Sequence, residues 1–223
     1  MTQGTRPDAV SALVDTALHQ FVTDNRPYLP SNPSVQMSYE TPRYMRGTLG
    51  NSRAGSGLVR LSVETIARQA RYISSGNADA ALKLIAYHEF THALGSKTFA
   101  ASASRIGAKM VRADDYLGRS NYPQRNDVLI EALTAALENV PGISGNLYRD
   151  QVTGLVLDRH QRPVSWRRFG LHLLEHLGEV SIKKALFNNE ATAVRALEAY
   201  IDDLIRQYPR KVLSSDAPSD VAH

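Results

Sequence analysis

Apolar residues recur at helical spacing along most of the chain, and this pattern predicts a mainly α-helical protein. In residues 8–22 apolar side chains follow one another at intervals of three and four. The same periodicity predicts further helices over residues 63–74, 79–94, 98–112, 127–139, 165–187 and 190–207. Residues 34–62 differ, because short mixed segments alternate with Pro, Gly and Ser, and they predict two or three strands of a small antiparallel or mixed sheet. The predicted class is therefore α+β, mostly helical.

The chain of 223 residues contains no internal repeat and no evident linker, so a single domain over residues 1–211 is expected. Residues 212–223 contain few apolar side chains and are predicted to form a disordered tail. No apolar run is long enough to span a membrane, and the N-terminus lacks the apolar segment of a signal peptide. We therefore expect a cytoplasmic protein, or one that a specialised secretion route exports.

Composition limits the possible chemistry of the protein. Cysteine is absent, which excludes disulfides, thiol nucleophiles and zinc sites with thiolate ligands. A bound metal ion must therefore be held by His, Asp or Glu. The net charge of +4 is a mild excess that permits contact with acidic partners without indicating one.

Residues 77–95 are predicted to form a helix, because capping residues precede an apolar stretch that ends at a glycine. Its centre reads HEFTH, residues 88–92. His88 and His92 are four residues apart, so they point to the same side of a helix, as two ligands of one ion must. The helix is apolar on most sides, which predicts burial. Desolvation of the two imidazoles and of the Glu89 carboxylate would be costly unless an ion satisfied them.

A catalytic zinc ion takes three protein ligands and keeps one position for water, so a third ligand must come from another segment. Glu131 is the best candidate for this ligand. It follows His92 by 39 residues and lies in the stretch NDVLIEALTAALENV, where it interrupts an apolar helix face. A carboxylate in this setting favours a cation, and an ordinary ion pair with a nearby Arg or Lys is the alternative.

The HEFTH helix, followed by a helical glutamate in the setting EALTAAL, resembles the gluzincin zinc metallopeptidases, in particular their compact single-domain members. The resemblance implies a zincin-like fold with an active-site helix and a Zn²⁺ cofactor. It also implies that His88, His92 and Glu131 bind the zinc ion, and that Glu89 is the catalytic base that takes a proton from the attacking water. Residues 57–63, GLVRLSV, would correspond to the edge strand along which an extended substrate binds.

Two features depart from the gluzincin pattern. Many gluzincins have an aspartate four residues after the glutamate ligand, where it orients an imidazole, and this chain has Ala135 there. Glu138 is the alternative for that role. The family also uses a Tyr or His to stabilise the developing oxyanion. Tyr122 is the predicted catalytic residue for this purpose, and Tyr148 and His160 are the alternatives.

A second pattern typical of metal sites, the inverted motif H-x-x-E-H, occurs at His172, Glu175 and His176. The apolar stripe of this segment runs along the other side of the predicted helix, so these polar residues are interpreted as a solvated face. A contact with substrate, or a transition-state role for one of these histidines, is the alternative.

These observations lead to the hypothesis of a small zinc-dependent endopeptidase whose partner is a protein or peptide substrate. A basic stretch, residues 159–168, surrounds Trp166, but no nucleic-acid-binding module accompanies it, so nucleic acid is not expected as a partner. Two alternatives stay open. One is a catalytically silent zinc-site protein that binds a partner, and the other is an effector or toxin protease directed at a host. The sequence leaves the substrate preference and the oligomeric state open.

Overall fold

A computed structural model describes residues 7–45, 48–116, 126–138 and 151–207. The helices of these residues are α1 (Pro7–Asn25), α2 (Val63–Ile73), α3 (Ala78–Leu94), α4 (Lys97–Tyr116), α5 (Val128–Leu137), α6 (Trp166–Leu177), α7 (Glu179–Asn188) and α8 (Ala191–Gln207). The strands are β1 (Gln36–Tyr39), β2 (Gly50–Ser52), β3 (Leu58–Leu61), β4 (Val152–Leu157) and β5 (Pro163–Ser165). The predicted α+β class with mostly helical content is confirmed. The single-domain boundaries and the tail at 212–223 stay predictions, and the tail lies outside the described residues.

The sheet formed by β1, β2 and β3 is mixed, with the spatial order β1-β3-β2. β3 pairs in parallel with β1 and antiparallel with β2. The expectation that residues 57–63 form an edge strand is therefore wrong, because β3 occupies the centre of the sheet. Within this sheet β2 is an edge strand, and it lies against α3. Strand order depends on pairing between distant segments, and the local sequence pattern does not specify it.

Two further elements differ from the sequence-based expectation. The helix predicted over 165–187 is divided into α6 and α7 at Gly178, whose φ of +79° lies in the left-handed region that favours glycine. The antiparallel hairpin of β4 and β5 was not predicted. Burial along β4 does not alternate regularly, since three consecutive residues, 153–155, are buried. Its sequence therefore lacks the period-two signal from which strands are identified.

Helix α3 forms the centre of the fold, as its apolar composition predicts. Residues 81–93 are buried with the exception of the half-buried Lys83. The helix packs against α1, α2, α5, β2 and β3. Asn77 caps its first turn, where the side-chain oxygen accepts a hydrogen bond from the backbone N–H of Ala80 at 2.9 Å. Tyr87 packs edge-on against Phe21 of α1, with ring centroids 4.9 Å apart, and is a core residue.

Helices α5 and α6 approach each other closely because α6 contains Gly170 at the point of contact. A Cβ atom at this position would collide with the backbone carbonyl of Ala132 on α5. The neighbouring Glu131 belongs to the same turn of α5, so the position of this helix determines where the carboxylate lies. In the described part of the chain, no helix combines the length and the apolar character that a membrane span requires.

We expect Gly170→Ala to destabilise the protein by about 1–3 kcal/mol, because the added methyl group must push α6 away from the α5 backbone. Thermal or denaturant unfolding measures this change. Leu171→Ala is the matched control, because Leu171 is an exposed residue of the same helix and its truncation should cost much less. Equal stability of the two variants would contradict the close approach of α5 and α6.

Candidate metal centre

Three side chains from α3 and α5 converge on one point in the protein interior. His88 Nε2 lies 3.2 Å from His92 Nε2 and 3.3 Å from Glu131 Oε2. His92 Nε2 lies 3.4 Å from the same carboxylate oxygen. The three atoms thus form a nearly equilateral triangle. The helical spacing of four residues brings the two imidazoles together, and the packing of α5 on α3 adds the carboxylate.

The size and chemistry of this triangle fit a small divalent transition-metal ion. Three ligand atoms that bind one ion at about 2.0–2.1 Å with tetrahedral angles lie about 3.3–3.4 Å from one another. The observed separations of 3.2–3.4 Å agree with this geometry. Calcium and magnesium prefer sets of oxygen ligands, whereas two imidazoles and one carboxylate suit zinc and its neighbours. His88, His92 and Glu131 can therefore hold a metal ion.

The electrostatics of the cluster also favour a positive charge at this place. Burial acts to lower the pKa of His88, but its hydrogen bonds with Glu131 and Glu138 outweigh this effect and raise the pKa well above the ordinary value. Burial acts to raise the pKa of Glu131, yet the charges and hydrogen bonds of the two histidines lower it well below its ordinary value. Buried carboxylates require a compensating cation, either a proton on an imidazole or a bound metal ion.

Glu138 orients the first histidine of the cluster. Its Oε1 lies 2.7 Å from His88 Nδ1, and its side chain is buried. When the imidazole is neutral, Nδ1 donates its hydrogen to this carboxylate, and the lone pair of Nε2 then points at the triangle. Burial raises the pKa of Glu138, and the hydrogen bond to His88 opposes that effect. The structure thus places Glu138 where the sequence suggested an orienting carboxylate, while Ala135 is buried and apolar.

Glu89 follows His88 in the sequence and is buried, but it is not one of the three members of the cluster. Its carboxylate is held by β2, where the Ser52 hydroxyl contacts Glu89 Oε2 at 2.6 Å and the backbone oxygen of Glu89 at 3.0 Å. Gly50 of the same strand lies so close that a Cβ atom there would be 2.5 Å from Glu89 Oε1. The absence of a side chain at Gly50 therefore makes room for this carboxylate.

Ser52 and Gly50 were not identified from the sequence. The hydrogen bond from Ser52 joins residues that are 37 positions apart, and nothing in the local sequence around β2 indicates which helix it meets. A glycine and a serine near a turn are ordinary loop residues by composition. Only the packing of the edge strand on α3 assigns them to the site.

Tyr122, the predicted oxyanion-stabilising residue, and its alternative Tyr148 lie outside the described residues. The other alternative, His160, lies on the exposed turn between β4 and β5. Its Nε2 accepts a hydrogen bond from Arg159 at 3.0 Å, and its backbone N–H donates to Asp158. The contacts described for His160 are confined to this turn, and the structure does not bring it into the metal cluster.

The inverted motif lies on the opposite side of α6 from the core, as predicted. Glu175 and His176 are exposed and His172 is half-buried, whereas Phe169 and Leu173 are fully buried. The inverted motif therefore does not contribute to the buried cluster, whose two histidines come from the HEFTH helix.

Glu131→Ala should abolish tight metal binding, since it removes one of three ligands and leaves two imidazoles without their carboxylate. Elemental analysis after dialysis against metal-free buffer should find about one ion per wild-type chain and close to none in the variant. Glu64→Ala, which removes an exposed carboxylate of α2, is the control and should retain the ion. Full metal content in the Glu131 variant would exclude this residue as a ligand.

No protein-family model, curated protein or solved structure matches this chain. The resemblance to gluzincins therefore depends on residues 88–92 and Glu131, and both family membership and the zincin-like fold stay predictions. The structure itself provides a buried cluster of two histidines and one glutamate that can hold a metal ion, and the helix of the two histidines also carries the buried Glu89.

Proposed function

We propose that this protein is a zinc-dependent endopeptidase. The observation that carries the proposal is the triangle of His88 Nε2, His92 Nε2 and Glu131 Oε2, with separations of 3.2–3.4 Å. Helix α3, which provides the two histidines, also carries Glu89 outside the triangle. Two histidines and one carboxylate are a ligand set of catalytic zinc sites, which keep a further position open. A purely structural zinc site would instead be closed by four protein ligands.

The residues in and around the triangle have different roles in the proposed hydrolysis of a peptide bond. A bound zinc ion supplies Lewis acidity, which activates water and polarises a carbonyl group. His88, His92 and Glu131 hold the ion, and Glu138 keeps His88 in the tautomer that presents Nε2. Glu89 accepts a proton from the attacking water and passes it to the amine of the leaving fragment.

The supporting feature for Glu89 as a base is that its carboxylate is positioned by β2 and is not used as a ligand. Ser52 donates to Oε2, which restricts the rotation of the carboxylate, and Oε1, on the side of Gly50, is the oxygen proposed to take the proton. Gly50 leaves the space that the carboxylate occupies. A base that is held in one orientation accelerates proton transfer more than a mobile one.

The substrate is proposed to bind as an extended strand along β2. This strand pairs with β3 on one side, and no other strand of the described residues pairs with its second side. A peptide added there would form main-chain hydrogen bonds with the edge of the sheet and pass beside Glu89. The predicted partner is accordingly a protein or peptide in an extended conformation, and Tyr122 stays the predicted oxyanion-stabilising residue.

Glu89→Gln should retain zinc and the native fold but lose about 10²–10⁴-fold in the rate of hydrolysis, because an amide cannot accept the proton. The assay is cleavage of a labelled unfolded protein, with zinc content and thermal unfolding measured on the same samples. Inhibition of the wild type by a chelator and by a hydroxamate provides the control. An active Gln variant would contradict the mechanism.

A wild-type chain that binds zinc but cleaves no unfolded protein or peptide library would contradict the peptidase proposal while leaving the metal centre intact. That result would favour a zinc-site protein that acts by binding a partner. Metal content alone does not distinguish these two functions, since both require the same three ligands.

Ser52→Ala should lower kcat by about tenfold to a hundredfold with little change in KM and zinc content, because the Glu89 carboxylate loses the contact that orients it. Ser52→Thr keeps a hydroxyl group and should restore most of the rate. Steady-state kinetics on a peptide substrate measures both variants. If Ser52→Ala has the wild-type kcat, Ser52 does not position the base.

A further inference from the structure

A second group of metal-binding side chains lies on the exposed side of α6. His172, Glu175 and His176 each offer one ligand atom, and these atoms all lie within 4.8 Å of one another. The imidazole rings of the two histidines are 4.1 Å apart between centroids. From this arrangement we infer that the chain has a second, weaker metal site at the surface, which takes a transition-metal ion such as Zn²⁺ or Ni²⁺.

In each imidazole of this group, one nitrogen is hydrogen-bonded to a protein oxygen, and the other nitrogen is left to bind an ion. His176 Nδ1 lies 2.9 Å from the backbone oxygen of His172. A carbonyl oxygen only accepts, so Nδ1 carries the hydrogen and Nε2 presents a lone pair to solvent. In His172 the nitrogen Nε2 lies 2.9 Å from the hydroxyl of Tyr200 on α8. Each ring thus has one nitrogen engaged by a protein oxygen and the other available, as metal-binding histidines typically have.

Tyr200 also restricts the orientation of the pair. Its ring stacks on that of His176, with centroids 5.2 Å apart and an angle of 27° between the planes. The two imidazoles are therefore held by α8 before an ion arrives, and the exposed Glu175 supplies the carboxylate.

The composition of the group determines which ions it can bind. Two imidazole nitrogens and one carboxylate oxygen favour zinc, nickel and copper over calcium and magnesium, which prefer oxygen ligands. The surface site should be weaker than the buried centre, because Glu175 and His176 are exposed and water competes with the ion for them.

Binding at this site would stabilise the native state, in which α6 supplies all three ligands and Tyr200 of α8 holds His172. An ion that binds the native state and not the unfolded chain raises the midpoint of thermal unfolding as its concentration rises. This effect depends on α6 and α8 and is independent of the peptidase function and of the buried centre.

The test is equilibrium dialysis of the full, untagged chain against increasing concentrations of Zn²⁺, with Ni²⁺ as a second probe. The wild type should bind two Zn²⁺ ions, of which only one remains after dialysis against metal-free buffer. His172→Ala and His176→Ala should each reduce the total at excess Zn²⁺ to one. His160→Ala removes an exposed histidine outside both groups and should still bind two.

Two further variants separate this site from the buried centre. Glu131→Ala should lose the tightly held ion and keep the weak one, so failure of either site is recognised independently of the other. Tyr200→Phe should keep the number of ions but lower the affinity of the weak site by about tenfold or more, because His172 loses its orienting hydroxyl. The wild-type chain binding a single ion, or the His172→Ala, His176→Ala double variant still binding two, would overturn the inference.

Discussion

The structure depends on the burial of two imidazoles and a carboxylate at a single point. The side chains of His88, His92 and Glu131 are only 5–12% exposed. An ionised carboxylate in such a place needs a cation, and the imidazoles need a hydrogen-bond or metal partner. Their mutual contacts satisfy this requirement only if a positive charge is present, either as a proton or as a metal ion. The nearly equal separations of the three ligand atoms fit a single ion bound by all three.

The surrounding elements can be understood from this requirement. Helix α3 must be apolar on nearly all sides so that it can be enclosed, and α5 must approach it closely enough for Glu131 to reach the histidines. Gly170 allows α6 to support α5 at short range. The end of α5 brings Glu138 to the outer nitrogen of His88. An edge strand with Gly50 and Ser52 packs on α3 and holds Glu89, the acidic side chain of the motif that is not one of the three cluster members.

Two pairs of histidines in this chain have the same spacing but differ in how far they are buried. His88 and His92, like His172 and His176, are separated by four residues, and both pairs have neighbouring ring centroids. The first pair lies on a helix that is apolar on nearly every side, so folding buries it and excludes water. The second pair lies opposite the apolar stripe of its helix, so it faces solvent and any ion it holds exchanges readily. The spacing brings the two rings together in both pairs, whereas the surrounding residues determine how far water is excluded from them.

The local sequence determined the helices of this protein and part of its candidate metal centre. The helices, the burial of α3 and the meeting of His88 with His92 follow from helical periodicity within one segment, and Glu131 is recognisable as a carboxylate on an apolar face. The strand order, the hairpin of β4 and β5, and the contact of Ser52 with Glu89 were decided only by the tertiary structure. The physical reason is one of range. Helix formation and amphipathicity depend on residues three and four apart, whereas sheet pairing and the support of a buried carboxylate depend on which distant segments pack together.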